Sequence, residues 1–173
     1  YIEKEENLDQ SGDAWVYGNA VVSGDARISD GARVYGDAWV YGNAVVSGDA
    51  VVSGDAWVFG NAVVSGNAEV SDDARVFGNA VVSDNARVYD GAWVSDNARV
   101  AGDAVVSGNA KVIGDAEVLE STHLLQIEPI GSRNDFTTFF RTKTMTFMWL
   151  AAVFWDLLKN LRKELCKSTQ ALS

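Results

Sequence analysis

The chain has 173 residues, one proline, one cysteine and a net charge of −10, from 14 basic and 24 acidic residues. That is one domain's worth of chain, with no partner thiol for an internal disulfide and no run of eighteen apolar residues to span a bilayer as a helix. The acidic balance argues against nucleic acid or an anionic membrane as a partner, and the single cysteine favours a reducing, cytoplasmic compartment. The chain begins at Tyr1 rather than Met, which leaves a removed signal segment open.

Residues 1–11, YIEKEENLDQS, form an acidic lead-in. A strict rhythm follows over residues 12–119. Alanine returns every six residues from Ala14 to Ala116, eighteen times without an insertion. The residue two places later is Val in every hexad but one, where it is Ile28. Each hexad reads A-x-V-x-[GD]-[DNG]. The first four positions alternate at period two, the mark of a short strand with Ala and Val on one face. The last two positions are turn residues, which tolerate left-handed backbone or bond to their own backbone.

A strand and a corner every six residues predict an all-β chain wound as a parallel β-solenoid. The inward residues are only Ala, Val and one Ile, so the bore is narrow, and three walls per coil fill it without voids. Eighteen hexads then make about six coils, a shaft roughly 30 Å long at about 4.8 Å per coil. Alanine is required beside the corner, where walls converge and a larger side chain would clash.

Val16 with Ala14, Val22 with Ala20, and so on to Val118 with Ala116, resemble the hexapeptide-repeat, left-handed β-helix family. Within it, the Gly-Asp-Ala and Gly-Asn-Ala repeats look most like bacterial and phage proteins of uncharacterised function. The left hand is implied by that resemblance alone, as are two family activities. Its acyltransferases use a histidine base and its carbonic anhydrases three histidines on zinc. This chain has one histidine, His123, beyond the last coil, and no loop interrupts the coils to build a pocket. The expected reading is therefore a non-catalytic scaffold without a cofactor. An acyltransferase-like enzyme using His123 is the alternative.

Residues eighteen apart stack on adjacent coils, which sorts the outward positions into three walls. One carries Trp15, Tyr17, Arg33, Tyr35, Glu69, Arg87 and Tyr89 among small residues, and is mixed. The second carries Trp39, Tyr41, Trp57, Phe59, Arg75, Phe77 and Trp93, a contiguous aromatic face with Arg75 placed to lie over Trp57 or Trp93. The third is flat, built largely of Val and Ser. An exposed aromatic wall marks a contact site, and the expected partner is a second copy, a carbohydrate or another protein. Aromatic stacking that serves only strand stability is the bland reading.

The corners hold acids. Asp37, Asp55 and Asp73 share one column, with Asp72 and Asp90 beside them. A divalent cation held by these oxygens would relieve their repulsion, though a purely solubilising role explains them too. Asn43, Asn61, Asn79 and Asn97 form another column, read as a structural amide ladder.

Residues 120–173 are expected to be a small C-terminal cap. Leu124 to Lys143 reads as a short β-rich module, which a solenoid needs to cover its last coil. Gly131, Ser132 and Arg133 within it could form an anion-holding turn. Phe147, Leu150, Ala151, Phe154, Leu157, Leu158, Leu161 and Leu165 recur at helical spacing, predicting an amphipathic helix over about 145–166. The same stretch has another reading. Shifted by one base, its codons can continue the cap with an alternating strand, making the segment after Lys143 an out-of-frame remnant.

Overall fold

A computed structural model describes residues 1–127 and 137–140. Eighteen short strands run from Trp15–Val16 to Glu117–Val118. They assemble into three six-stranded parallel sheets, each taking every third strand. Trp39 pairs with Trp57, Arg75 with Trp93 and Val45 with Val63, each eighteen residues apart. The molecule is thus a parallel β-solenoid of about six coils, as the period predicts. The expected helix over 145–166, Cys166 and the Gly131–Arg133 turn lie outside the described residues.

The bore is as the hexad dictates. Every sixth-residue Ala from Ala20 to Ala116, and every Val or Ile two places on, is at most 1% exposed. Alternation along a strand leaves no other inward position, so the two smallest useful apolar side chains fill the whole interior. Backbone groups are spent between coils. The Trp39 N–H donates to the Ala56 carbonyl at 2.9 Å, and the Val45 N–H to Ala62 at 2.9 Å. Each coil rests on the next through such bonds, which removes the cost of burying peptide groups unpaired.

Corners use two devices. Twelve glycines have positive φ; at Gly54 (φ +66°) an added Cβ would stand 2.7 Å from the Asp72 backbone nitrogen. Where Asp replaces Gly at this position its φ is also positive, as at Asp84 (62°), Asp90 (56°) and Asp96 (62°). There the carboxylate accepts the N–H of the glycine one coil on: Asp84 from Gly102 at 3.1 Å, Asp90 from Gly108 at 3.1 Å, Asp96 from Gly114 at 3.0 Å. That bond offsets the strain of a left-handed non-glycine residue.

The lead-in has more structure than its composition suggests. Ile2 bridges Val22 and Leu8 bridges Ile28, so residues 1–9 lie over the first strands of two walls. Asn7 fills the centre at 1% exposure, and Leu8 packs against the core. At the other end a 3₁₀ turn, Ser121–His123, precedes an antiparallel hairpin of Leu124–Ile127 with Thr137–Phe140. Lys111 donates its N–H to Thr138 Oγ1 at 3.3 Å, which ties the hairpin to the last coil.

Candidate interaction face

The second wall brings together all seven residues singled out for it. Trp39, Trp57, Arg75 and Trp93 occupy one column, in register through successive strand pairs. Tyr41 opposes Phe59 in the same ladder. The strands carrying these rings, Trp39–Gly42 and Trp57–Gly60, are four residues long where most are two.

Stacking is set by the coil rise. Tyr41 and Phe59 have centroids 4.9 Å apart with planes 1° from parallel, and Phe59 and Phe77 repeat this at 4.9 Å and 3°. Trp39 lies over Trp57 at 6.0 Å. Arg75 sits between two indoles, 5.5 Å from the Trp57 centroid and 5.2 Å from that of Trp93. Lys111 then covers the far face of Trp93 at 5.1 Å. The two columns touch edge to face, Tyr41 against Trp57 and Phe77 against Trp93. Partial burial raises the Tyr41 hydroxyl above its usual pKa, and the Arg75 charge opposes that.

Much of each ring is thus covered by neighbours on the same wall. Trp57 is sandwiched by Trp39 and Arg75, and Trp93 by Arg75 and Lys111. Trp39 is still 44% and Trp57 38% exposed. A sequence gives the columns but not the rotamers, so this orientation was not readable in advance. Nor was a second, shorter stack on the mixed wall, where Tyr17 and Tyr35 lie 4.9 Å apart and 9° from parallel. Their eighteen-residue spacing was the available signal.

The other candidates resolve differently. Asp37, Asp55 and Asp73 do occupy one corner on successive coils, and Asp37 accepts from the Asn19 amide at 2.9 Å. Asp72 accepts from Ser71 Oγ at 3.4 Å, and Asp90 is engaged by Gly108. Among the described residues no three His, Cys, Asp or Glu side chains are grouped to hold a metal ion. The asparagine ladder forms as expected: Asn43 donates to Asn61 at 3.0 Å, Asn61 to Asn79 at 3.0 Å and Asn79 to Asn97 at 3.1 Å. His123 accepts the Leu119 N–H at Nδ1, 3.3 Å away. It closes the turn after the last coil, where its own N–H donates to the Glu120 carbonyl at 2.9 Å.

These features define a β-solenoid repeat protein. A family model described as the YdcK beta solenoid repeat matches residues 26–42, 38–54, 68–84, 82–95 and 92–108. The chain is similar to that repeat over those stretches, which lie wholly within the coils. No curated protein matches the chain. No helix among the described residues is long and apolar enough to cross a membrane.

Proposed function

We propose that this solenoid, of the hexapeptide-repeat Gly-Asp/Asn-Ala type, is a non-catalytic rigid scaffold that self-associates through the Trp39–Trp93 wall. The observation that carries this reading is the occupation of the ring faces. A sugar stacks on an open aromatic face, and here the two stacks leave such faces at their first members, Trp39 toward Val21 and Tyr41 toward Ser23, while the rings further along have aromatic or cationic neighbours. Partly exposed rings at a fixed rise suit a surface with the same rise, which a second copy supplies.

The size of the wall sets the expected strength. Six coils at about 4.8 Å and a wall of roughly six residues at about 3.3 Å give a flat area near 600 Å². Specific interfaces bury about 800 Å² per partner, so association in the micromolar range or weaker is expected. Leaving the wall wet costs roughly 25 cal/mol per Å² of apolar surface.

Light scattering across a concentration series tests this. The parent is expected to form dimers, and the triple change Trp39→Ser, Trp57→Ser and Trp93→Ser to remain folded and monomeric. Equal masses for the two would reduce the wall to a strand-stabilising ladder. Saturable acetyl-CoA binding with turnover lost in His123→Ala would instead establish the acyltransferase alternative.

A further inference from the structure

We infer that two copies meet wall to wall with shafts parallel, about a two-fold axis running along the shaft. The Asp37–Asp55–Asp73 corner of each then faces the Asn43–Asn61–Asn79 corner of the other. This rests on the self-association proposed above and adds its geometry.

Residues cross the wall in a fixed order. One rung reads Asp37, Trp39, Tyr41, Asn43; the next Asp55, Trp57, Phe59, Asn61; the next Asp73, Arg75, Phe77, Asn79. One edge of the wall is acidic and the other is amide. Dimers close about two-fold axes, and two such axes lay one flat wall on another with shafts aligned. An axis across the shaft keeps each edge against itself and reverses direction, so Asp55 meets the partner's Asp73, twice. Neither carboxylate has a hydrogen-bond donor within the described residues, and opposed like charges at an interface are unfavourable. That axis also sets Arg75 on the partner's Trp57, a contact each chain already makes internally.

The axis along the shaft exchanges the edges. Asp55 and Asp73 then face carboxamides. Asn61 gives one amide hydrogen to Asn79, and its second remains for a carboxylate acceptor. The Trp/Arg column comes against the partner's Tyr/Phe column, so Arg75 gains an aromatic neighbour outside its own ladder. Both copies have the same coil rise, so this match repeats on the three rungs from Asp37–Asn43 to Asp73–Asn79. The six corner residues are all exposed and are not otherwise needed by the bore.

Directed cross-linking in a Cys166→Ser background separates the two arrangements. Mixing a Val21→Cys chain with a Ser23→Cys chain is expected to give a disulfide-linked heterodimer on oxidation, because the axis along the shaft opposes the two columns of the first coil. Mixing Val21→Cys with Lys111→Cys is expected to give none, and a link there would overturn the parallel arrangement. Asp55→Lys with Asp73→Lys should weaken dimerisation about threefold or more, a rim-sized effect. Adding Asn61→Asp and Asn79→Asp should restore it. Tighter association of the lysine pair would also overturn the inference. A dimer that dissociates in the triple tryptophan variant yet links Val21→Cys to Lys111→Cys keeps the wall and loses only the parallel axis. A parent that stays monomeric at all concentrations removes both readings.

Discussion

Asn7 donates its side-chain amide to the carbonyl of Ala26 at 2.7 Å from a position almost wholly out of solvent. The same amide reaches Gly24 O at 3.1 Å, and its own oxygen accepts the Lys4 N–H at 2.8 Å. One side chain thus satisfies carbonyls of the first coil that have no earlier coil above them. Asn7→Leu keeps the volume and removes every one of these bonds. It is expected to cost about 1–3 kcal/mol, the penalty of stranding buried polar groups. Hydrogen exchange should show the loss confined to the first coil; protection unchanged at Glu3 and Asp9 would contradict the plug.

The same end should respond to acid. The hydrogen bond from Lys4, then its charge, hold Asp25 below the ordinary carboxylate value of 3.8. Bonds from the Ser11 N–H and hydroxyl do the same for Asp9. A depressed carboxylate stabilises the fold fully above its unfolded pKa, and that contribution is lost as pH falls through the lower folded value. Lys4 is raised above 10.5 by the same bond, so its contribution is complete below 10.5 and lost as pH rises through the folded value. Protection factors at Glu3 and Asp9, relative to the unfolded chain at the same pH, should therefore fall below about pH 4 while those of the middle coils hold. Asp25→Asn should flatten most of that acid response.

In the bore, Ala56→Leu should cost about 1–3 kcal/mol through overpacking. Val58→Asp buries a charge with no partner and should cost more. Ser47→Ala and Ser65→Ala point outward and should stay within roughly 0.5 kcal/mol. Thermal melts of the four variants check the inward assignment, and parent-like melting of the first two would refute it.

The corner glycines divide into two kinds. Gly54→Ala meets the Asp72 backbone at 2.7 Å and must also hold φ +66°. Gly114→Ala must hold φ +70° but has nothing within 4 Å. Strain alone costs roughly 1–2 kcal/mol for a left-handed alanine, so Gly114→Ala should lose about that much and Gly54→Ala clearly more. Equal losses in denaturant melts would mean that coil stacking does not constrain the corner.

The solenoid was legible because each hexad position has one task, and an unbroken run of eighteen leaves no competing period. Wall membership followed by counting, so the Trp39 column and the place of Arg75 could be read directly. The lead-in was harder. Ile2 and Leu8 keep the six-residue spacing, but Glu6 stands where the hexad would place the Ala before Leu8. Their partners Val22 and Ile28 lie twenty residues on rather than eighteen. Ring orientation was hidden for another reason. Whether Trp57 shows its face or its edge depends on Arg75 and Trp39 packing against it, and spacing carries no rotamer.

A coil of eighteen residues with corners every six gives the gene an unusual arithmetic. Adding or deleting one hexad leaves every alanine inside and every strand paired, so the fold survives. Yet each later column turns by one wall, and Trp93 leaves the face that holds Trp57. Only changes in whole multiples of eighteen keep the surfaces in phase. Length in this protein can drift in small steps without harm to folding, while the aromatic stripe acts as a reading frame that most such steps would break.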